Sequence, residues 1–224
     1  MHALDHLPEH HPVLTIGILG GTGPQGRGLA RRLALAGHSV VVGSRSADRA
    51  GAVAADLGVS NATGGSNDAA AAADLVIVTV PYDGHADLLA SLTEPLRDKI
   101  VVDCVNPLGF DKQGPYRLDV PDGSAAQEAQ RILPESTVVA AFHHVSAVLL
   151  LDEQVETLDT DVLVLGDDRE ATDLVQALAG SIPGMRGVYG GRLRNAHQVE
   201  ALTANLISVN RRYKAHAGLR VTDV

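Results

Sequence analysis

The chain has 224 residues, a formal net charge of −9 and 45% hydrophobic residues, which suits one domain with a modest extension. The acidic balance argues against a general nucleic-acid binder, and the single cysteine, Cys104, excludes an intramolecular disulfide and a cysteine-rich metal site. With four tyrosines, two phenylalanines and no tryptophan, the core must be built of Val, Leu, Ile and Ala, a composition that suits parallel strands covered on both faces.

Residues 1–12 carry His2, His6, His10 and His11, but Pro8 and Pro12 oppose a helix. They read as a disordered extension rather than a metal site. Val13–Leu19 reads as a strand that runs into a glycine cluster, and Pro24–Ala36 as a helix stopped by Gly37. Gly21, Gly23 and Gly26 fit G-x-G-x-x-G in the strand–turn–helix setting that the dinucleotide fingerprint needs. One glycine permits the turn, one lets the backbone approach a pyrophosphate, and one lets helix and strand pack closely. The helix start then offers free N–H groups and a positive dipole end to the phosphates.

Ser39–Gly43 reads as the second strand. An NAD-preferring site usually has an acidic residue after it for the ribose 2′-hydroxyl. This chain has Gly43-Ser44-Arg45, with Arg49 one helical turn on. A carboxylate would repel a 2′-phosphate, whereas a hydroxyl and two guanidiniums bind one, so NADP is expected over NAD. Thr22 offers a further hydroxyl. Ordinary solvated helix-start arginines are the alternative.

Downstream, helices are expected over Ala47–Leu57, Asp68–Ala73, Gly84–Leu92, Ser124–Leu133 and Arg169–Leu178. Strands are expected over Val59–Thr63, Leu75–Val80, Ile100–Cys104, Thr137–Phe142, Val162–Gly166 and Met185–Tyr189. Phe110–Pro121 reads as a loop covering the site. Residues 193–214 place Leu193, Ala196, Val199, Leu202, Leu206 and Val209 at helical spacing. This alternation predicts a Rossmann-type, doubly wound α/β fold with a mostly parallel sheet and a small C-terminal α/β extension. Ligands in such sheets bind at the carboxyl ends of strands. Thr79, Val80, Pro81 and Tyr82 should therefore border the nicotinamide half, with Asn106, Pro107, His143 and His144 at neighbouring strand ends. No signal peptide or bilayer-length apolar run is evident, so a cytoplasmic location is expected.

Taken alone, these residues define an NADP-binding α/β protein and leave the second substrate open. There is no Lys–Tyr pair of the short-chain dehydrogenase spacing, no cluster of metal ligands and no glycine-framed serine. Hydride exchange between two cofactors needs mainly positioning and fits that absence. A reductase of an imine, flavin or ferric complex and a non-catalytic NADP sensor are the alternatives.

The chain resembles the NADPH-dependent reductases of the deazaflavin coenzyme F420 along nearly its whole length from residue 14. The resemblance rests on Leu-Gly-Gly-Thr-Gly at 19–23, Val-Val-Gly-Ser-Arg at 41–45, the strand closing in Pro81 and Lys-Ile-Val-Val at 99–102. It continues in Val-Val-Ala-Ala-Phe-His at 138–143, Val-Leu-Val-Leu-Gly-Asp-Asp at 162–168 and the run from Asn210 to Arg220. It implies reversible hydride transfer between NADPH and F420. Thr22, Ser44, Arg45 and Arg49 would hold the 2′-phosphate; family members often have lysine at the last position. Gly21, Gly23, Pro24, Gln25 and Gly26 would line the pyrophosphate, and Val80 and Pro81 the nicotinamide. Asn106, Pro107, His143, Val145 and Leu206 would surround the deazaflavin, although the family often has a proline near Ser146. His143 is the candidate catalytic residue, as a proton donor or as a packing histidine. Residues 13–150 would bind NADP, and residues 151–224 would complete the F420 site and contribute a homodimer contact. Arg192, Arg194, Arg211, Arg212 and Lys214 are either a cationic group that steers the anionic F420 tail or a solvated helix face.

Overall fold

A computed structural model describes residues 13–224; the expected disordered tail over residues 1–12 lies outside them. In chain order the strands are β1 (Thr15–Leu19), β2 (Ser39–Ser44), β3 (Ala62–Ser66), β4 (Leu75–Val78), β5 (Ile100–Asp103), β6 (Leu108–Asp111), β7 (Gly114–Arg117), β8 (Thr137–Ala140), β9 (Thr160–Gly166) and β10 (Met185–Gly191). The helices are α1 (Pro24–Leu35), α2 (Ala47–Asp56), α3 (Asn67–Ala71), α4 (His85–Ser91), α5 (Ala125–Ile132), α6 (Ala147–Leu151), α7 (Arg169–Gly180) and α8 (Ala196–Tyr213). Eight strands form one sheet in the order β10-β9-β8-β5-β4-β1-β2-β3, the doubly wound arrangement expected.

Strand alternation assigns the core. Ile16, Ile18, Leu75, Ile77, Val102 and Val139 face one side, where Leu29 and Leu33 of α1, Ala50 and Ala54 of α2, Leu150 of α6 and Val175 of α7 cover them. Val76, Val78, Val101 and Val138 face the other, under Ala70 of α3, Leu89 of α4, Ala129 of α5 and Val199 of α8. Burying each of the larger side chains contributes roughly 1.5–3 kcal/mol. Cys104 belongs to this core: its Sγ–H donates to the Val78 carbonyl at 2.9 Å, and burial pushes the thiol well above its usual range.

Several elements differ from expectation. β3 lies three residues later than predicted, because its glycines carry no apolar pattern. A Cβ on Gly64 would sit 2.2 Å from the Ala50 carbonyl carbon, so the strand is read only by its packing against α2. The predicted loop over 110–121 overlaps the β6–β7 hairpin, which begins at Leu108. α6 was not expected; Ser146 Oγ caps it by accepting from Leu149 N. Its far end is closed by the buried Arg32, which donates to the carbonyls of Leu149, Leu150 and Asp152 at 2.8–2.9 Å. The predicted boundary at residue 150 falls inside α6, and β9 and β10 extend the same sheet.

β9 runs antiparallel to β8, joined through Val139↔Gly166 and Ala140↔Leu165, and β10 runs parallel to β9. This reversal brings the start of β9 to the carboxyl rim of the parallel strands, where His144 Nε2 donates to the Asp161 carbonyl at 2.7 Å.

Candidate active site

The turn between β1 and α1 forms the first part of the site. Gly21 N donates to Gly43 O at 2.9 Å, which ties this turn to the end of β2. A Cβ on Gly26 would sit 2.6 Å from Gly21 Cα and 2.7 Å from Thr79 Oγ1, so close helix–strand packing requires glycine there. Gly23 is different: its backbone is extended, and a Cβ would meet nothing closer than Gly20 O at 3.8 Å. The protein's own packing does not require glycine at this position; a ligand backbone or phosphate approaching the helix start does. Side-chain oxygens of Ser46, Ser66, Ser124 and Asp168 cap α2, α3, α5 and α7, whereas α1 has Pro24 in its first turn and no side-chain cap. Its leading N–H groups are thus available to an anion. Replacing Gly23 by alanine is expected to change stability by no more than about 0.5 kcal/mol while weakening NADPH binding about tenfold or more. Thermal melts alongside NADPH titration check both halves of this prediction.

Beyond β2, Ser44 is buried and its Oγ accepts from Ser46 N at 3.2 Å. Arg45 and Arg49 are exposed, and neither forms an ion pair among the described residues. Two unpaired guanidiniums beside a serine at this rim suit a phosphate dianion. With the open position at Gly23 and the uncapped start of α1, these residues fit NADP.

A cleft of about 750 Å³ adjoins this cradle, lined by Pro81, Tyr82, Asn106, Leu108, Phe110, Glu128, Thr203 and Ile207 among others. The β6–β7 hairpin forms one wall, in the place where a covering loop was expected. One knot holds three elements together here: the His143 carbonyl accepts from Asn106 Nδ2 at 2.9 Å and from Thr203 Oγ1 of α8 at 3.1 Å. Gln25 Nε2 donates to the Phe142 carbonyl at 3.2 Å and links the glycine turn to the same rim. Phe142 is fully buried and has φ +62°, a left-handed backbone that non-glycine residues rarely adopt.

The structure therefore brings Gln25, Asn106 and His143 together, with Val80 and Pro81 at the neighbouring end of β4. Leu206 is half-buried on α8, whereas Val145 and Pro107 are buried, Val145 among core side chains. The His143 ring is buried, and neither ring nitrogen has a hydrogen-bond partner among the described residues. Burial lowers its pKa to about 4, so the ring is neutral at neutral pH and its carbonyl is the part that organises the rim. The late cationic residues do not form one patch. Arg192 and Arg194 precede α8, whereas Arg211 and Arg212 lie in its last turn and Lys214 caps it, about 25 Å further along.

Sequence reasoning missed a group of buried titratable residues behind the cleft. His85 lies between Asp103 and Glu128, and Glu200 of α8 accepts from Ala125 N and Ala126 N at 3.1 and 3.2 Å. Burial and the nearby Asp103 raise Glu200 to about 7, against the pull of those two N–H groups. Ser124 and Glu128 were visible as a helix start. Nothing at a sequence separation of 43 pointed to the contact between Glu128 and His85.

Fold and cradle together define a Rossmann-type dinucleotide-binding protein. A family model described as "NADP oxidoreductase coenzyme F420-dependent" matches residues 15–107. The chain is 40% identical to the F420-dependent NADP reductase of Methanothermobacter thermautotrophicus, over 95% of this chain and 96% of that one. It is 38% identical to the protein of the same name from Methanocaldococcus jannaschii, over 94% of this chain and 99% of the other. Among solved structures, a putative F420-dependent NADP reductase from Arthrobacter sp. FB24 superposes with a TM-score of 0.80 at 27% identity, covering 93% of this chain and 99% of that one. The chain belongs to the F420-dependent NADP reductases.

Proposed function

We propose that the protein catalyses reversible hydride transfer between NADPH and coenzyme F420, directly from nicotinamide C4 to deazaflavin C5. The observation that carries this reading is the continuity of the two half-sites: Gln25 of the phosphate-binding turn bonds the strand end that forms the cleft rim. A nicotinamide lying past Val80 and Pro81 thereby meets a second ring in the cleft. Alignment of the reacting carbons within about 3–3.5 Å supplies most of the rate advantage.

The residues divide the work. Gly21, Gly23, Pro24, Gln25 and Gly26 receive the pyrophosphate, and Thr22, Ser44, Arg45 and Arg49 the 2′-phosphate. Asn106 and Thr203 fix the rim through the His143 carbonyl, and His143 itself packs as a neutral ring rather than supplying a proton. The charged residues lining the cleft are Asp83, Asp87 and Glu128. The deazaflavin ring therefore belongs there, with its anionic tail directed outward. On this reading residues 13–150 hold NADP and residues 151–224 complete the F420 site through α8. The outer part of α8, where Val209 and Tyr213 are 38% and 73% exposed, forms a homodimer contact. Among the described residues no helix is long and apolar enough to cross a membrane, and we place the reaction in the cytoplasm.

The test is spectrophotometric. Purified protein mixed with oxidised F420 and NADPH should bleach the deazaflavin absorbance, slowly or not at all with NADH, and FMN and FAD should not replace F420. Unchanged F420 in the presence of bound NADPH would overturn the assignment.

A further inference from the structure

A chain of buried charge runs from the core to the cleft. Asp103, at the end of β5, has a fully buried carboxylate; its Oδ2 lies 2.6 Å from His85 Nε2, and its Oδ1 accepts from Val105 N at 3.0 Å. The His85 side chain is also fully buried, and its Nδ1 lies 3.0 Å from Glu128 Oε2. Glu128 keeps 12% of its side chain exposed and lines the cleft beside Tyr82 and Asn106. An imidazole clamped by two carboxylates contributes little to stability that three apolar side chains would not match. Its open end faces the place where the second ring is proposed to bind.

Hydride transfer alone does not complete the reaction. The acceptor ring gains a hydrogen and two electrons and needs one proton to reach its neutral reduced form, and the reverse reaction needs a base for that proton. We propose that Glu128 donates and accepts this proton at the cleft, with His85 and Asp103 as the positioning pair that recharges it. The proposal rests on the NADPH–F420 reading.

In the reducing direction the nicotinamide C4–H bond breaks, and its electron pair and hydrogen form the new C–H bond at deazaflavin C5. NADPH is oxidised and the deazaflavin reduced. The Nδ1 proton of the His85 imidazolium passes to the Glu128 carboxylate, which hands it to a ring nitrogen of the deazaflavin and is left a carboxylate again. His85 ends neutral, still donating Nε2–H to Asp103, and a proton from water restores the imidazolium.

The electrostatics agree with this geometry. The titratable groups facing His85 are Asp103 from β5, Glu128 from α5, Glu200 from α8 and Tyr82 from the turn before α4, with ring centroids of Tyr82 and His85 6.2 Å apart. His143 and Cys104 lie beside Asp103. Burial works against the imidazolium, but Asp103 and Glu128 outweigh it and raise His85 to about 9. The relay is therefore loaded at neutral pH and empties as pH rises through that value. Burial and Glu128 raise the Tyr82 phenol, which stays neutral beside the carboxylate.

Glu128→Gln keeps the shape and removes the proton site; Glu128→Asp serves as the conservative variant. In Glu128→Gln the kcat for F420 reduction should fall by about 100-fold with the KM for NADPH within about twofold, and Glu128→Asp should recover part of it. The unaltered enzyme should lose kcat as pH rises through about 9, and this limb should move to lower pH in Glu128→Gln. Histidine ¹⁵N NMR of the free protein gives a readout independent of turnover. The His85 imidazolium signal should persist to about pH 9 in the unaltered protein and titrate at least about one unit lower in Glu128→Gln. Wild-type kcat in Glu128→Gln, or a loss of kcat with an unchanged pH profile, would overturn the relay. Failure of the unaltered protein to bleach F420 would instead overturn the reading beneath it.

Discussion

Replacing Arg45 and Arg49 together by alanine is expected to raise the KM for NADPH about 100- to 1,000-fold while altering NADH kinetics by less than about threefold. The size follows from the charge-assisted hydrogen bonds that two exposed guanidiniums make to a phosphate, each worth about 1.5–2 kcal/mol, the lower part of the usual range. Both side chains are exposed and neither forms an ion pair among the described residues. Their loss should therefore leave the fold intact. Arg45→Ala alone should account for about 10- to 100-fold of the effect, because Arg45 directly follows the buried Ser44. The KM for NADPH of the unaltered enzyme should also rise with added salt, since exposed charges are screened, while that for NADH should not. Steady-state kinetics with both nucleotides at two salt concentrations check each part. Equal losses for NADPH and NADH would remove the arginines from the 2′-phosphate site.

Asp161→Asn is expected to destabilise the protein by about 3–5 kcal/mol, near the upper end for a single substitution. The side chain is fully buried, and its carboxylate accepts from Arg186 Nε and Nη2 at 3.0 and 2.7 Å, from Arg220 Nη1 at 2.7 Å and from Val221 N at 2.6 Å. An amide of the same shape takes the ion-pair partner from Arg186, leaves Arg220 with Asp159 alone, and fills one acceptor position with a donor. For a chain of this size a 3 kcal/mol loss lowers the melting temperature by roughly 6–12 °C. Burial disfavours the Asp161 carboxylate, but the hydrogen bonds from Arg186 and Val221 and the nearby charges outweigh it and hold its pKa below the ordinary value. A depressed carboxylate stabilises the fold above its unfolded pKa of about 3.9, and this contribution disappears as pH falls through the lower folded value. The gap between the two melting curves should thus be constant from about pH 5 upward and narrow below about pH 4. Thermal melts between pH 3 and pH 8 decide the point.

The parts of the molecule legible in the sequence are those where one residue type answers one local need. The Gly21–Gly26 turn, the Ser–Arg pair after β2 and the aliphatic runs of β4 and β5 each declare themselves within a few residues. The predicted cap at Ser124 is present, with its Oγ accepting from Gln127 N. Long-range pairing was not legible. β3 is assembled from glycine, threonine and serine and exists because β2 and α2 offer it an edge and a close backbone. The antiparallel turn at β9 follows from chain reversal around α6, and a reversal leaves no mark in the hydrophobic pattern. The polar cluster of His85, Asp103, Glu128 and Glu200 draws one residue from each of four elements. In sequence its members read as an ordinary helix-start histidine, a strand-end aspartate and two helix glutamates.

His143 shows what residue type alone leaves open. A histidine at the carboxyl end of a central strand invites an acid–base role, yet the fold presents its carbonyl to the rim and buries its ring. The features that decide this, an enclosing core and a carbonyl bonded by Asn106 and Thr203, lie up to 60 residues away.

The left-handed backbone at Phe142 sets stability against performance within one residue. Glycine would adopt φ +62° without strain, whereas a non-glycine residue pays about 1–2 kcal/mol for it. The ring fills the core, while the carbonyl of the same residue anchors Gln25 of the phosphate-binding turn. Selection for thermal robustness alone would favour relaxing this backbone, and the relaxed chain would lose the link between the two half-sites. Variants evolved for heat resistance should therefore accumulate changes elsewhere, with this position held back by turnover rather than by folding.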